Sequence, residues 1–199
     1  MFGSQGEREL QQKYGSQQRA ERFYDRQVQD HLTEKMQSLI RRQEMVFVAT
    51  ADAQGNCDCS PSPRFGKPGF VTVIDEKTVA YPEFRGNGVL ASLGNIHENP
   101  HIGLVFVDFL ETTVGLHVNG SARICGADHA PVPLSLEKEY GTMPSKPLVE
   151  RWVVVEVEEA YIHCSKHVPL LRKMKKHVMW GTDDPKAKSD DYFVTQSCG

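Results

Sequence analysis

The sequence predicts a mainly β domain with helices (α+β), in which about six short antiparallel strands form a small barrel behind a long N-terminal helix. Three observations carry this. From residue 45 onward, short apolar or alternating runs recur between turn-forming clusters, which is the pattern of antiparallel strands. Between those runs only 89–99 has convincing helical spacing, whereas a doubly wound parallel sheet needs a helix between most strands. Residues 1–44 are dominated by Gln, Glu, Arg, Lys, Asp and Ser, so they read as a polar helical arm outside the barrel.

The 199 residues suit one domain with attached arms. The expected division is a helical arm over 1–44, a barrel domain over 45–167, and a basic segment with a polar tail over 168–199. Lys plus Arg is 23 and Asp plus Glu is 26, a formal charge of −3, which argues against a dedicated nucleic-acid binder. Apolar runs such as 45–51 are too short for a membrane-spanning helix. The start, Met1-Phe2-Gly3-Ser4, lacks the basic and apolar regions of a signal peptide, and the five cysteines are an odd number. These features predict a soluble, reduced, cytoplasmic protein without membrane partners.

Taken in order, 17–43 reads as one long helix. Ser16 is placed to cap it, and Phe23, Val28, Leu32, Met36, Leu39 and Ile40 form an apolar stripe. MVFVATA (45–51) is a strand that ends in the turn chemistry of Gln54-Gly55-Asn56. CDCSPSPRFGKPGF (57–70) opens as a strand and breaks into a Pro- and Gly-rich loop. FVTVID (70–75) and TVAYPEF (78–84) form a hairpin around Asp75-Glu76-Lys77. VLASLGNIHEN (89–99) is a helix stopped by Pro100. IGLVFVDF (102–109) and TVGLHVNGSARI (113–124) are antiparallel partners. A short helix is expected at 134–140, and WVVVEVEEAYIHC (152–164) is the last long strand.

The richest chemistry lies where the fourth strand meets the helix. Gly86 and Gly88 admit close backbone approach, Arg85 brings a forked cation, and the helix start presents free N–H groups. Asn87 either caps the helix or binds a ligand. Together these suit a phosphate or other anion. The loop after the second strand adds Arg64 and Lys67 with Ser60 and Ser62.

The ordered set VFVATADAQGN (46–56), the Ser-Pro loop and PGFV (60–71), TVAYPEFRGNG (78–88), SLGNIHENPHIGLVF (92–106), HVNGSARI (117–124) and VVVEVEEAYIHCSKH (153–167) resembles the pyridoxamine 5'-phosphate oxidase-like family. The resemblance is to a bacterial oxidase-like subgroup rather than to the authentic oxidase. It implies a six-stranded antiparallel FMN-binding split barrel, a homodimer with flavin sites at the subunit interface, and oxidoreductase activity on a small substrate. By the same resemblance, Arg85, Asn87, Ser92, Arg64 and Ser62 would hold the flavin phosphate. The ring would lie against strand backbone near Pro61 and Phe65 and near Tyr81 to Phe84. The partner subunit would contribute His117, Asn119 and the His163–Lys166 segment, with Lys166 placing positive charge by the flavin pyrimidine edge.

The authentic oxidase's C-terminal Arg-Leu substrate motif has no residue-by-residue match, because the last strand runs instead into Ile162-His163-Cys164-Ser165-Lys166-His167. The family also holds flavin reductases, deazaflavin-dependent reductases and haem-binding members. Two other readings therefore stand beside the enzyme: a flavin-binding protein without turnover, and a haem-binding or haem-degrading barrel with His163 or His167 as axial ligand. No residue is assigned as a catalytic acid or base. Cys57 and Cys59 share one strand face, but a single Cys-x-Cys is not a zinc pattern, so no metal is expected.

Overall fold

The computed structural model describes residues 2–62, 68–132 and 149–174. Helices α1 (Gln5–Lys13), α2 (Gln17–Gln27) and α3 (Glu34–Arg42) precede strands β1 (Val46–Ala51), β2 (Cys57–Ser62), β3 (Thr72–Val73) and β4 (Thr78–Phe84). Helix α4 (Ala91–Glu98) follows, then β5 (His101–Val107), β6 (Gly115–Gly126) and β7 (Val149–His163). All seven strands lie in one antiparallel sheet of order β2-β1-β5-β6-β7-β4-β3. The α+β class is as the sequence predicts. Among the described residues the count is seven rather than about six, and β3 is only two residues long.

The single helix expected over 17–43 is not formed. Val28 takes extended backbone (φ −93°, ψ 128°), and Gln29 pairs across to Ala160 through two backbone hydrogen bonds of 2.9 and 2.8 Å. The Leu32 N–H then donates to the Glu76 carbonyl at 2.7 Å. The physical reason is competition: Val28 and Leu32 are buried, and the sheet supplies the backbone partners that helix continuation would have supplied. Thr33 then restarts the helix as a side-chain cap on Met36. Of the three N-terminal helices, α3 contributes buried residues, Leu39 and Ile40, while α1 and α2 bury none.

Ser16 precedes α2 but makes no side-chain cap bond. The helix that sequence reading missed, α1, carries a capping box in which the Ser4 hydroxyl accepts from Glu7 N–H and the Glu7 carboxylate accepts from Ser4 N–H. That Ser-x-x-Glu signal was in the sequence. The helix expected at 134–140 lies outside the described residues.

The sheet curls around one apolar core. Val46 and Val48 of β1, Leu104 and Phe106 of β5, Leu116 and Val118 of β6, and Val153, Val155 and Val157 of β7 all point into it. A smaller cluster of Ala80, Cys125, Trp152 and Val154 lies apart from it, with Phe84 packed against it. The β5–β6 turn is held by buried Asp108, whose carboxylate accepts from the N–H groups of Leu110, Glu111 and Thr112 and from the Thr112 hydroxyl. Burial pushes this carboxyl up, but the Thr112, Glu111 and Leu110 hydrogen bonds outweigh it and leave the group below its usual range.

The longest ladder, β6 with β7, shifts register between Asn119 and Gly120. A Cβ built at Gly120 would lie 1.9 Å from the Glu156 carbonyl oxygen, inside any allowed contact. Gly120→Ala should therefore destabilise the fold by about 3 kcal/mol or more, at the upper end of overpacking costs. Urea unfolding followed by circular dichroism checks this; an unchanged midpoint would show that the bulge can relax.

Candidate functional site

Cross-strand register shows which residues share the sheet's outer face. Residues directly opposite in antiparallel strands point to the same side. Pro61, Phe47, Val105, His117 and Tyr161 are linked pair by pair across β2, β1, β5, β6 and β7. Phe47, Val105, His117 and Tyr161 are half-buried and Pro61 is exposed, whereas their chain neighbours Val46, Val48, Leu104, Phe106, Leu116 and Val118 fill the core. The next row is Cys59, Ala49, Gly103, Asn119 and Glu159. The sequence reading assigned Pro61 to one subunit and His117 and Asn119 to the other. The structure puts all three on one face of a single chain.

At the β6–β7 end of this face the polar groups are paired. His117 Nε2 and His163 Nδ1 are 2.9 Å apart, and the His117 ring stacks on Tyr161 at 4.7 Å between centroids with planes 13° apart. Gly115 lies opposite His163, where a Cβ would come within 2.7 Å of the His163 Cβ. Asn119 Nδ2 donates to Glu159 Oε1 at 2.7 Å. Phe23 of α2 meets the Tyr161 ring edge-on at 5.9 Å. Between the arm and this end of the sheet lies a cavity of about 750 Å³, lined by Phe2, Glu7, Asp30, Asn119, Glu158 and Glu159 among others. Lys166 is exposed in the short 3₁₀ turn Ser165–His167 that follows β7.

The second group sits between β4 and α4. Arg85 and Asn87 are exposed. Asn87 Oδ1 accepts from Val89 N–H at 3.0 Å, so it closes the turn before the helix rather than capping the helix itself. Leu90 at the helix start is left-handed (φ 56°) and provides no side-chain cap, so among the described residues the first-turn N–H groups have no side-chain acceptor. Ser92 Oγ donates to Asp58 Oδ2 at 3.0 Å. Asn95 Nδ2 donates to Thr50 Oγ1 at 3.1 Å, which ties α4 to β1.

The remaining expected residues fall elsewhere. The Tyr81 side chain is 1% exposed and turned into the core, so only the backbone of this residue is left to meet a ligand. Burial, with the Glu83 charge, drives its hydroxyl pKa far up. Phe84 packs on the Trp152 cluster. Both belong to β4, which meets β7 near Val153 and Val149, at the opposite end of that strand from Tyr161 and His163. Ser62 ends β2, and Arg64 and Phe65 lie outside the described residues. Sequence reading missed Phe47, Val105, Glu159 and Tyr161. Tyr161 was signalled by its place two residues before His163 on one strand face, but its stacking on His117 depends on register.

Burial, then the neighbouring His163 charge, lowers the His117 pKa, with Glu159 opposing. A histidine depressed in the folded state is protonated more readily in the unfolded chain. Its linkage therefore costs stability as pH falls through its ordinary value of about 6.5 and on down to the lower folded value. Stability should stay level from pH 8 to 7 and decline below about 6.5, and His117→Gln should flatten the decline. Thermal melts across pH 5–8 check this; an identical slope in the variant would remove His117 as the source.

The family model for pyridoxamine 5'-phosphate oxidase matches residues 32–164. Among solved structures, HupZ of Group A Streptococcus is 28% identical with a TM-score of 0.48, over 65% of this chain and 92% of HupZ. An FMN-binding protein of Syntrophomonas wolfei is 14% identical with a TM-score of 0.50, over 80% of this chain and 98% of that one. HutZ, the haem storage protein of Vibrio cholerae, is 14% identical with a TM-score of 0.43, over 66% and 94%. No curated protein matches the sequence. The matched span takes in α3, α4 and every strand of the sheet, and on that ground the chain belongs to the pyridoxamine 5'-phosphate oxidase family.

Proposed function

We propose that this protein binds FMN non-covalently on the outer sheet face, between two copies of the chain, and acts as an oxidoreductase on a small substrate. The observation that carries the reading is the half-buried row Pro61–Phe47–Val105–His117–Tyr161. At about 4.8 Å per strand it runs about 19 Å, enough for a flat tricyclic ring, and it is apolar along its middle. His117 and Asn119 stand beside it as hydrogen-bonding groups, as cofactor sites require. A second copy would cover the β2–β1–β5 part of a face that the arm overlays at its β6–β7 end, where Phe23 meets Tyr161 and Phe2, Glu7 and Asp30 stand across a cavity from Asn119 and Glu159.

The exposed Arg85 and the uncapped start of α4 suit the phosphate, because a forked cation and free N–H groups both favour an anion. Asp58, beside Ser92, works against an anion at that one hydroxyl. Arg64 and Ser62 are kept as phosphate contacts and Phe65 as a ring contact, with Lys166 supplying charge to the flavin's pyrimidine edge. When bound, FMN supplies two-electron chemistry, taking a hydride and passing electrons to an acceptor. The chain's own part is to anchor the phosphate, place the ring and limit water. The His117–His163 pair holds a proton between two imidazole nitrogens beside the ring edge.

The purified protein should show flavin absorption near ~370 and ~450 nm, with FMN identified by mass spectrometry of the released ligand. Arg85→Ala should raise the FMN Kd about tenfold, about 1.4 kcal/mol, with unchanged circular dichroism. An unaltered Kd would remove Arg85 from the phosphate site. Dilution to monomers should release flavin, and retention by a demonstrated monomer would sink the shared site. Stopped-flow reduction by NADH or NADPH separates an enzyme from a non-catalytic carrier.

A further inference from the structure

Strand β2 is an edge of the sheet, hydrogen-bonded only to β1 among the described residues. On it Cys57 and Cys59 are both free and exposed, and the period of two puts both side chains on the outer face. Their directly opposite neighbours on β1 are Ala51 and Ala49, whose single methyl groups leave the space above the strand open. Beyond Ala49 the same row meets Gly103, which adds no side chain. The Cys57 thiol donates to the Gly55 carbonyl at 3.5 Å, a sulfur contact that water can replace.

Strand geometry decides what two such thiols can do together. Residues two apart in an extended strand have Cβ atoms about 6.6 Å apart. A disulfide needs Cβ atoms about 3.5–4.5 Å apart, so the pair cannot close on itself while β2 stays paired. Two metal–thiolate bonds of about 2.3 Å hold sulfurs about 4.6 Å apart when collinear, a span that two side chains leaning toward each other reach. Two thiolates with no third ligand among the described residues suit a soft ion that accepts linear coordination. They do not suit zinc, which takes four ligands.

We propose that Cys57 and Cys59 form a two-thiolate site for a soft monovalent metal ion, Cu(I) being the type. One ion binds both sulfurs, each thiol gives its proton to solvent, and no electron changes hands: Cu⁺ plus two thiols yields a dithiolate complex of charge −1 and two protons. The site lies one row from Pro61, at the rim of the proposed flavin face. It uses no residue assigned to FMN and stands whether or not FMN binds.

The test is anaerobic titration of the reduced full-length protein with Cu(I) against a chromophoric Cu(I) chelator, with proton release recorded. We expect one ion per chain, two protons released per ion, and an affinity at least a hundredfold weaker in Cys57→Ser and in Cys59→Ser. A Cys164→Ser, Cys198→Ser double variant should keep wild-type affinity. X-ray absorption of the loaded protein should show two sulfur neighbours and no nitrogen or oxygen. Wild-type affinity in either single variant, or a comparable loss in the double variant, would overturn the proposal. Circular dichroism confirms that each variant is folded. FMN affinity, measured on the same samples, should not move, so a failure of the flavin reading would show separately.

Discussion

The pairing of β6 with β7 sets the side to which His117, Asn119, Glu159, Tyr161 and His163 point. It runs from Gly115 against His163 to Gly126 against Arg151, and it is interrupted once, at Asn119/Gly120. Above that interruption His117, Asn119, Glu159 and Tyr161 face outward while Val118 and Ala160 are buried. Below it Val155 and Val157 continue inward. One extra residue on β7 keeps both faces consistent, and the conformation needs a glycine because the Glu156 carbonyl occupies the place of a side chain. A single-residue slip in this ladder would send the histidines into the core and valines to the surface.

The N-terminal region shows the same ladder imposing itself on distant sequence. A stretch with good helical spacing gives up its continuity because Gln29 finds a backbone partner in Ala160, on the outer edge of the bulge, and Leu32 finds one in Glu76. Local propensity favours one helix only weakly, and a buried strand-like crossing satisfies the same donors while burying Val28 and Leu32. The two helices left outside carry no buried side chain and touch the sheet face through Phe23.

Most of the strand content was legible. The turn at Asp75–Lys77, the stop at Pro100 and the bounds of β4 follow from turn chemistry and alternation, and Lys77 N–H indeed donates to Asp75 at 2.8 Å. Less of the site was legible, for two reasons. Alternation reveals that Tyr81 and His117 lie on strands but not which face meets the core, and Tyr81 proved to be core. Contacts such as His117 with Tyr161, or Ser92 with Asp58, depend on register between segments far apart in sequence, which residue spacing does not encode. The loop proposed to bind an anion could be read because its chemistry is contiguous, from Arg85 to the start of α4.

The bridge between Gln29 and Ala160 has a consequence for the order in which the chain acquires structure. A polypeptide emerges from the ribosome N-terminus first, yet Gln29 has no backbone partner in Ala160 until β7 has been made and has paired with β6. Residues around Gln29 are therefore fixed later than much of the sheet that follows them in sequence. During translation the segment at Val28 and Gln29 must wait in water for that strand, and the strongly polar composition of the preceding helix keeps it soluble.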